Sequence, residues 1–164
     1  MAAIETTERP EEMTVSALVD HLLSHFHRIE LAEMRRLEAL LRSAPRGLNS
    51  RLAEVGAAFA AFKSDLEAHM EKEETVLFPW IRAGRGDLAH TPIRVMVMEH
   101  RETLALLDRL RALTDALDAG DESNEHDGLV GEVKLGLLRL DCHTREHMHL
   151  ENEILFPRAL RGGS

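Results

Sequence analysis

One phrase occurs twice in this 164-residue chain, and the repetition limits what the chain can fold into. His69-Met70, Glu73 and Val76-Leu77-Phe78-Pro79 return 78 residues later (69 to 147) as His147-Met148, Glu151 and Ile154-Leu155-Phe156-Pro157. A second phrase precedes each copy. His27-Arg28, Leu31-Ala32 and Arg36-Leu37 return 73 residues later (27 to 100) as His100-Arg101, Leu104-Ala105 and Arg109-Leu110. The chain therefore reads as two copies of one helix pair, each carrying a lone histidine and a His-x-x-x-Glu pair. Folded together they supply four imidazoles and two carboxylates, a ligand set for two metal ions with nitrogen and oxygen donors.

The length predicts one domain with a real core. A net charge of −9 argues against nucleic-acid binding, which needs a basic face. The single cysteine, Cys142, excludes an internal disulfide and a thiolate metal site. The acidic start, MAAIETTERPEE, is not a signal peptide, and no apolar run approaches the roughly 20 residues of a membrane span, so a cytoplasmic protein without membrane contact is expected. The absence of tyrosine removes tyrosyl-radical chemistry.

Apolar positions every three or four residues predict four helices and no strand. Residues 1–13 read as a flexible tail, 14–160 as an antiparallel up-down-up-down bundle and 161–164 as a frayed end. Thr14 or Ser16 caps a first helix to about Arg42, with Val15, Leu18, Leu22, Phe26, Ile29, Leu37 and Leu41 on its inner face. Asn49 or Ser50 opens a second helix through Phe59, Phe62, Leu66, His69 and Glu73 toward Ile81, which Pro79 kinks or ends. Gly84 to Asp87 reads as a loop, Thr91-Pro92 as the start of a helix to about Leu117, and Gly120 to Asn124 as the third loop. A fourth helix covers about Leu129 to Leu160.

Residues four apart on a helix lie one turn apart on one face, about 6 Å along the axis. His69 with Glu73, and His147 with Glu151, can each point into the bundle together. In an antiparallel bundle the repeat becomes a pseudo-two-fold axis. If each glutamate bridges two cations and each cation takes two histidines, one solvent-derived oxygen brings each ion to five donors, leaving one octahedral position open. The site should then be close to symmetric. Imidazole and carboxylate suit iron or manganese.

These residues resemble the hemerythrin-like (HHE cation-binding) domain over nearly the whole chain. The matching words are Leu18-Val19-Asp20-His21 through His27, and His69-Met70-Glu71-Lys72-Glu73-Glu74 with Leu77-Phe78-Pro79. Val97-Met98-Glu99-His100 and His147 with Leu150-Glu151-Asn152 and Leu155 to Leu160 complete them. The resemblance is closest to the bacterial iron-sulfur repair and nitric-oxide-response branch. It implies an all-α four-helix bundle around an oxo- or hydroxo-bridged non-haem di-iron centre, with two Fe ions and with Mn or Zn as substitutes. By position it gives metal-ligand roles to His27, His69, Glu73, His100, His147 and Glu151. The chain departs from the family in two ways. No histidine lies between His27 and His69, where the repair branch has a fifth ligand, and no counterpart of that branch's small cysteine-bearing N-terminal domain is expected here.

His143, one turn before His147, is either that fifth ligand or a neighbour orienting His147, and the second is expected. His21, His25 and His149 lie off the ligand face, and His90 and His126 read as loop residues. Glu30 reads as a solvated charge, with a spare-ligand role as the alternative. Cys142 reads as buried or half-buried, and Met70, Met96, Met98 and Met148 as core. The leading functional expectation is a binding protein rather than a turnover enzyme. It would take O₂ or NO in sensing, storage or protection against nitrosative or oxidative stress. Iron storage and delivery to an iron-sulfur or other iron-client protein is the second reading. A di-iron enzyme activating O₂ or peroxide, or reducing NO, is the third.

Overall fold

The structure is a computed structural model that describes residues 9–45, 50–117 and 125–162. Among them the chain forms four helices and no strand. Helix α1, residues 15–43, joins Val15–His21 and Arg28–Ser43 through a widened π-helical turn, Leu22–His27. Helix α2, residues 50–82, joins Ser50–Lys72 and Phe78–Arg82 through a second such turn, Glu73–Leu77. Helix α3 is Gly86–Asp115. Helix α4, residues 125–160, joins Glu125–Leu150 and Phe156–Leu160 through a third, Glu151–Leu155. The start of α1 packs on the end of α2, and the start of α3 on the end of α4, so neighbours run antiparallel around a square.

Local chemistry sets most boundaries. Thr14 is extended (ψ 159°), and its hydroxyl accepts the Ala17 amide (3.1 Å), satisfying a donor that the first turn of α1 leaves free. Ahead of it Met13 is buried, and its carbonyl accepts from Arg158 (2.7 Å). Helix α2 ends at Gly84, whose φ of +68° is open to glycine at little cost. The Gly84 and Arg85 amides close the end onto the Ile81 and Trp80 carbonyls (3.0 and 2.9 Å).

Both prolines of the repeated phrase lie just beyond a π turn. The Phe78 amide bonds the Glu73 carbonyl and the Phe156 amide bonds that of Glu151, five residues back. Proline in a regular helix clashes with the carbonyl four residues back, and a widened turn makes room for it. Pro79 and Pro157 therefore sit in the first turn of the segment that follows, and α2 runs on to Arg82.

Several sequence expectations are corrected. Helix α3 starts at Gly86, not Thr91, and Pro92 lies inside it. The link from α2 is only residues 83–85, and Gly86 must sit against α4, where a Cβ would lie 2.4 Å from the Ala159 carbonyl oxygen. His90 is consequently an exposed helical residue, and His126 lies in the first turn of α4, which begins at Glu125 rather than Leu129. Ile29 is 48% exposed while Glu30 is fully buried. The π turn at Leu22–His27 adds a residue to the helical count and brings position 30, not 29, round to the core. Met98 is 60% exposed and Cys142 is exposed, so neither belongs to the core. Of the remaining expectations, the third loop, Asn49, most of the N-terminal tail and the last two residues lie outside the described residues.

The apolar core is in two parts. One gathers Leu18, Leu22, Phe26, Phe78, Ile93 and Phe156 at the end of the bundle where α1 begins. The other gathers Leu37, Phe59, Phe62, Leu66, Leu107 and Leu140 toward the opposite end. Between them lies a layer of buried histidine and glutamate side chains.

Candidate metal centre

All six residues singled out by the repeat lie in that polar layer, each at most 1% exposed. They form two groups of four potential donor atoms, within 4.8 Å of one another in each group. His27 and His147 belong to one group, His69 and His100 to the other, and Glu73 and Glu151 to both. Glu73 turns Oε2 toward His27 Nε2 (3.4 Å) and Oε1 toward His69 Nε2 (3.1 Å). Glu151 turns Oε1 toward His147 Nε2 (3.1 Å) and Oε2 toward His100 Nε2 (3.1 Å). Each carboxylate thus offers one oxygen to each group, the arrangement of a bridging ligand.

The outer ring nitrogens fix the inner ones. His27 donates from Nδ1 to Glu74 (2.8 Å), His69 to Glu99 (3.1 Å), His100 to the Asn152 side-chain oxygen (2.8 Å) and His147 to Glu30 (2.9 Å). Carboxylates and an amide oxygen accept, so each Nδ1 carries the hydrogen and each Nε2 presents its lone pair inward. Within each group those nitrogens nearly touch, at 3.2 Å for His27 and His147 and 2.9 Å for His69 and His100. Two buried lone pairs at that distance repel unless a proton or a metal cation lies between them. Both oxygens of Glu73 and Oε2 of Glu151 are buried without a hydrogen-bond partner. Buried polar atoms left unpaired are costly, and a cation is what this set of donors fits.

Protons take the cation's part in the metal-free chain. Burial lowers the His100 pKa, but Glu151 and Glu73 outweigh it and push the imidazole up to about 9. His147 rises well above its ordinary value, because Glu151 and Glu30 overcome the same penalty. Burial disfavours the charged carboxylate of Glu73, yet His69, His100 and His27 hold it well below the usual range. Glu30 is likewise drawn down to about 2, against burial, by His147 and His143.

His143 is one step removed from the six. Its Nδ1 donates to Glu30 (3.3 Å), which in turn accepts from His147, and it belongs to neither group of donors. Glu30 is buried, not solvated, and it lines a cleft of about 840 Å³ between α1 and α4, with exposed Cys142 also among the lining residues. His21 is partly exposed and stacks on His25 (4.4 Å), and His149 is exposed. Sequence reasoning gave no role to Glu74, Glu99 or Asn152. The signal available was adjacency: Glu74 and Asn152 each follow a repeat glutamate, and Glu99 precedes His100.

Residues 18–159 match the model of the hemerythrin HHE cation binding domain. The chain belongs to this family. It is similar to curated iron-sulfur cluster repair proteins. One is YtfE of Dickeya chrysanthemi, 32% identical over 162 residues that cover 93% of this chain and 69% of the relative. A second is YtfE of Musicola paradisiaca, 35% identical, covering 88% and 65%. A third is DnrN of Neisseria gonorrhoeae, 34% identical, covering 92% and 94%. The chain thus spans about two thirds of these YtfE proteins and nearly all of DnrN. Among the described residues no helix is long and apolar enough to cross a membrane.

Proposed function

We propose that this chain holds two iron ions between Glu73 and Glu151, one beside His27 and His147 and one beside His69 and His100. It would serve in protection of iron-sulfur proteins against nitrosative or oxidative stress, in the cytoplasm, with O₂ or NO as small ligand. The observation that carries the reading is the double cage: four inward-facing imidazole lone pairs around two carboxylates with unpaired buried oxygens. When bound, the ions supply a redox-active centre suited to O₂ or NO. The chain's own residues hold and orient it. Glu74, Glu99, Asn152 and Glu30 lock the imidazole rings. The two apolar clusters keep bulk water from the layer between them.

Iron delivery is the second reading, favoured by the repair function named for the relatives. Metal analysis of iron-reconstituted protein, with visible spectra before and after NO and O₂, tests both. About two irons per chain and a stable adduct with either gas support the leading reading. Two irons with no spectral response favour delivery. One tightly held zinc, or no metal, overturns both.

A further inference from the structure

The repeat makes the inner ligands symmetric, but the residues behind them are not. Position 74 corresponds by the repeat to 152, so Glu74 in one copy is matched by Asn152 in the other. Position 30 corresponds to 103, and 143 to 65, so the Glu30–His143 pair on one side becomes Thr103 bonded to Asp65 (2.5 Å) on the other. Asp65 therefore spends its hydrogen bond on Thr103, whereas Glu30 reaches the ligand face and accepts from His147. The His69 and His100 pair is backed by the neutral amide of Asn152 and by Glu99, which also pairs with Lys72 (2.5 Å). The His27 and His147 pair is backed by two carboxylates, Glu74 and Glu30.

A carboxylate behind Nδ1–H draws the proton outward and makes Nε2 a stronger donor, while an amide oxygen does so less. We propose that the two cation positions are inequivalent in affinity for this reason: iron beside His27 and His147 is retained, and iron beside His69 and His100 is the exchangeable ion. Glu30 and Asn152 are the positioning residues that set the difference. The inference rests on the two-iron reading above and deepens it: the protein would hand out one ferrous ion per chain while the other keeps α1, α2 and α4 joined.

The test is release of Fe(II) from anaerobically loaded protein to an excess of a ferrous chelator, followed by stopped-flow absorbance and by Mössbauer spectra of the ⁵⁷Fe-loaded chain. Wild type should release iron in two phases of equal amplitude, at least tenfold apart, with one quadrupole doublet surviving the first. Asn152→Asp should slow the fast phase by ~10-fold and leave the slow one, and Glu30→Gln should quicken the slow phase by ~10- to 100-fold, the usual range for a changed partner behind a metal ligand. Release in a single phase from wild type, or variants that shift both phases equally, overturns the inequivalence while leaving the two-iron reading intact. Failure of wild type to load two ions overturns that reading and the inference with it. The wild-type kinetics and spectra decide the matter without any variant having to fold.

Discussion

At the scale of single residues, the centre turns on what each side chain shares. Glu73 and Glu151 each reach both donor groups, whereas each histidine reaches one. Replacing either glutamate with alanine should cost both ions, leaving well under one iron per chain. His27→Ala and His100→Ala should each keep about one. Iron analysis of the four purified variants checks this, and equal retention would mean that the glutamates do not bridge.

Protonation at the same residues makes stability depend on pH. The folded-state pKa of His100 is about 9, above the unfolded value of about 6.5. Its contribution to metal-free stability is therefore complete below about 6.5 and lost as pH rises through about 9, on the order of 3 kcal/mol in full. Glu30 and Glu73 shift downward, so their contribution is present above the unfolded value and fades as pH falls through the folded one. Metal-free protein should be most stable between about pH 4.5 and 6.5. Urea midpoints at pH 6 and 9.5 should fall in that order, and a flat profile would show that the imidazoles are not held charged. Iron must displace these protons, so its uptake should release acid in a pH-stat and tighten from pH 6 to 9.

At the scale of elements, two glycines in helices predict opposite outcomes. Gly131 in α4 has open space around it, so Gly131→Ala should gain up to about 1 kcal/mol of helix propensity. Gly86 lies where a Cβ would meet the backbone oxygen of Ala159, which cannot move aside as a flexible side chain would. Gly86→Ala should lose about 1–3 kcal/mol, as overpacking does, despite the same gain in propensity. Denaturant midpoints of the two variants should move apart, and a Gly86→Ala protein as stable as wild type would contradict the close approach of α3 to α4. The π turns belong to this scale as well. Three of the four helices carry one, and each abuts a donor: one ends on His27, the others begin on Glu73 and Glu151. Each adds a residue to the helical count and sets which side chains face inward on its far side.

At the scale of the whole molecule, the candidate donors come from all four helices, so the proposed pair of cations would crosslink the bundle through its middle. Loading stabilises only the folded state, by about 2.7 kcal/mol when free iron exceeds the dissociation constant a hundredfold. Thermal melts should show the iron-loaded chain above the metal-free one by several degrees at pH 7.5. The gap should close toward pH 5, where protons replace the metal and hold the same cage together. A gap that persists at pH 5 would place the metal outside the histidine layer.

The sequence by itself determined the four helices, their pairing into two copies and the six histidine and glutamate side chains that meet in the polar layer, because each is a local property. His-x-x-x-Glu puts two side chains on one face whatever surrounds the helix, and two copies at matched spacing repeat the result. Helix α3 begins at Gly86 rather than at Thr91-Pro92, since the local start signal there loses to the packing of Gly86 on Ala159. Only the tertiary structure decided what stands behind each imidazole. His27 meets Glu74 from a neighbouring helix, and His147 meets Glu30 from 117 positions away. No periodicity announced Glu30 in particular, because the π turn before it shifts the helical phase by one residue and sends Ile29 out to solvent. Which acceptor meets which ring depends on how far each helix is rotated in the bundle, and that rotation is settled when all four pack at once.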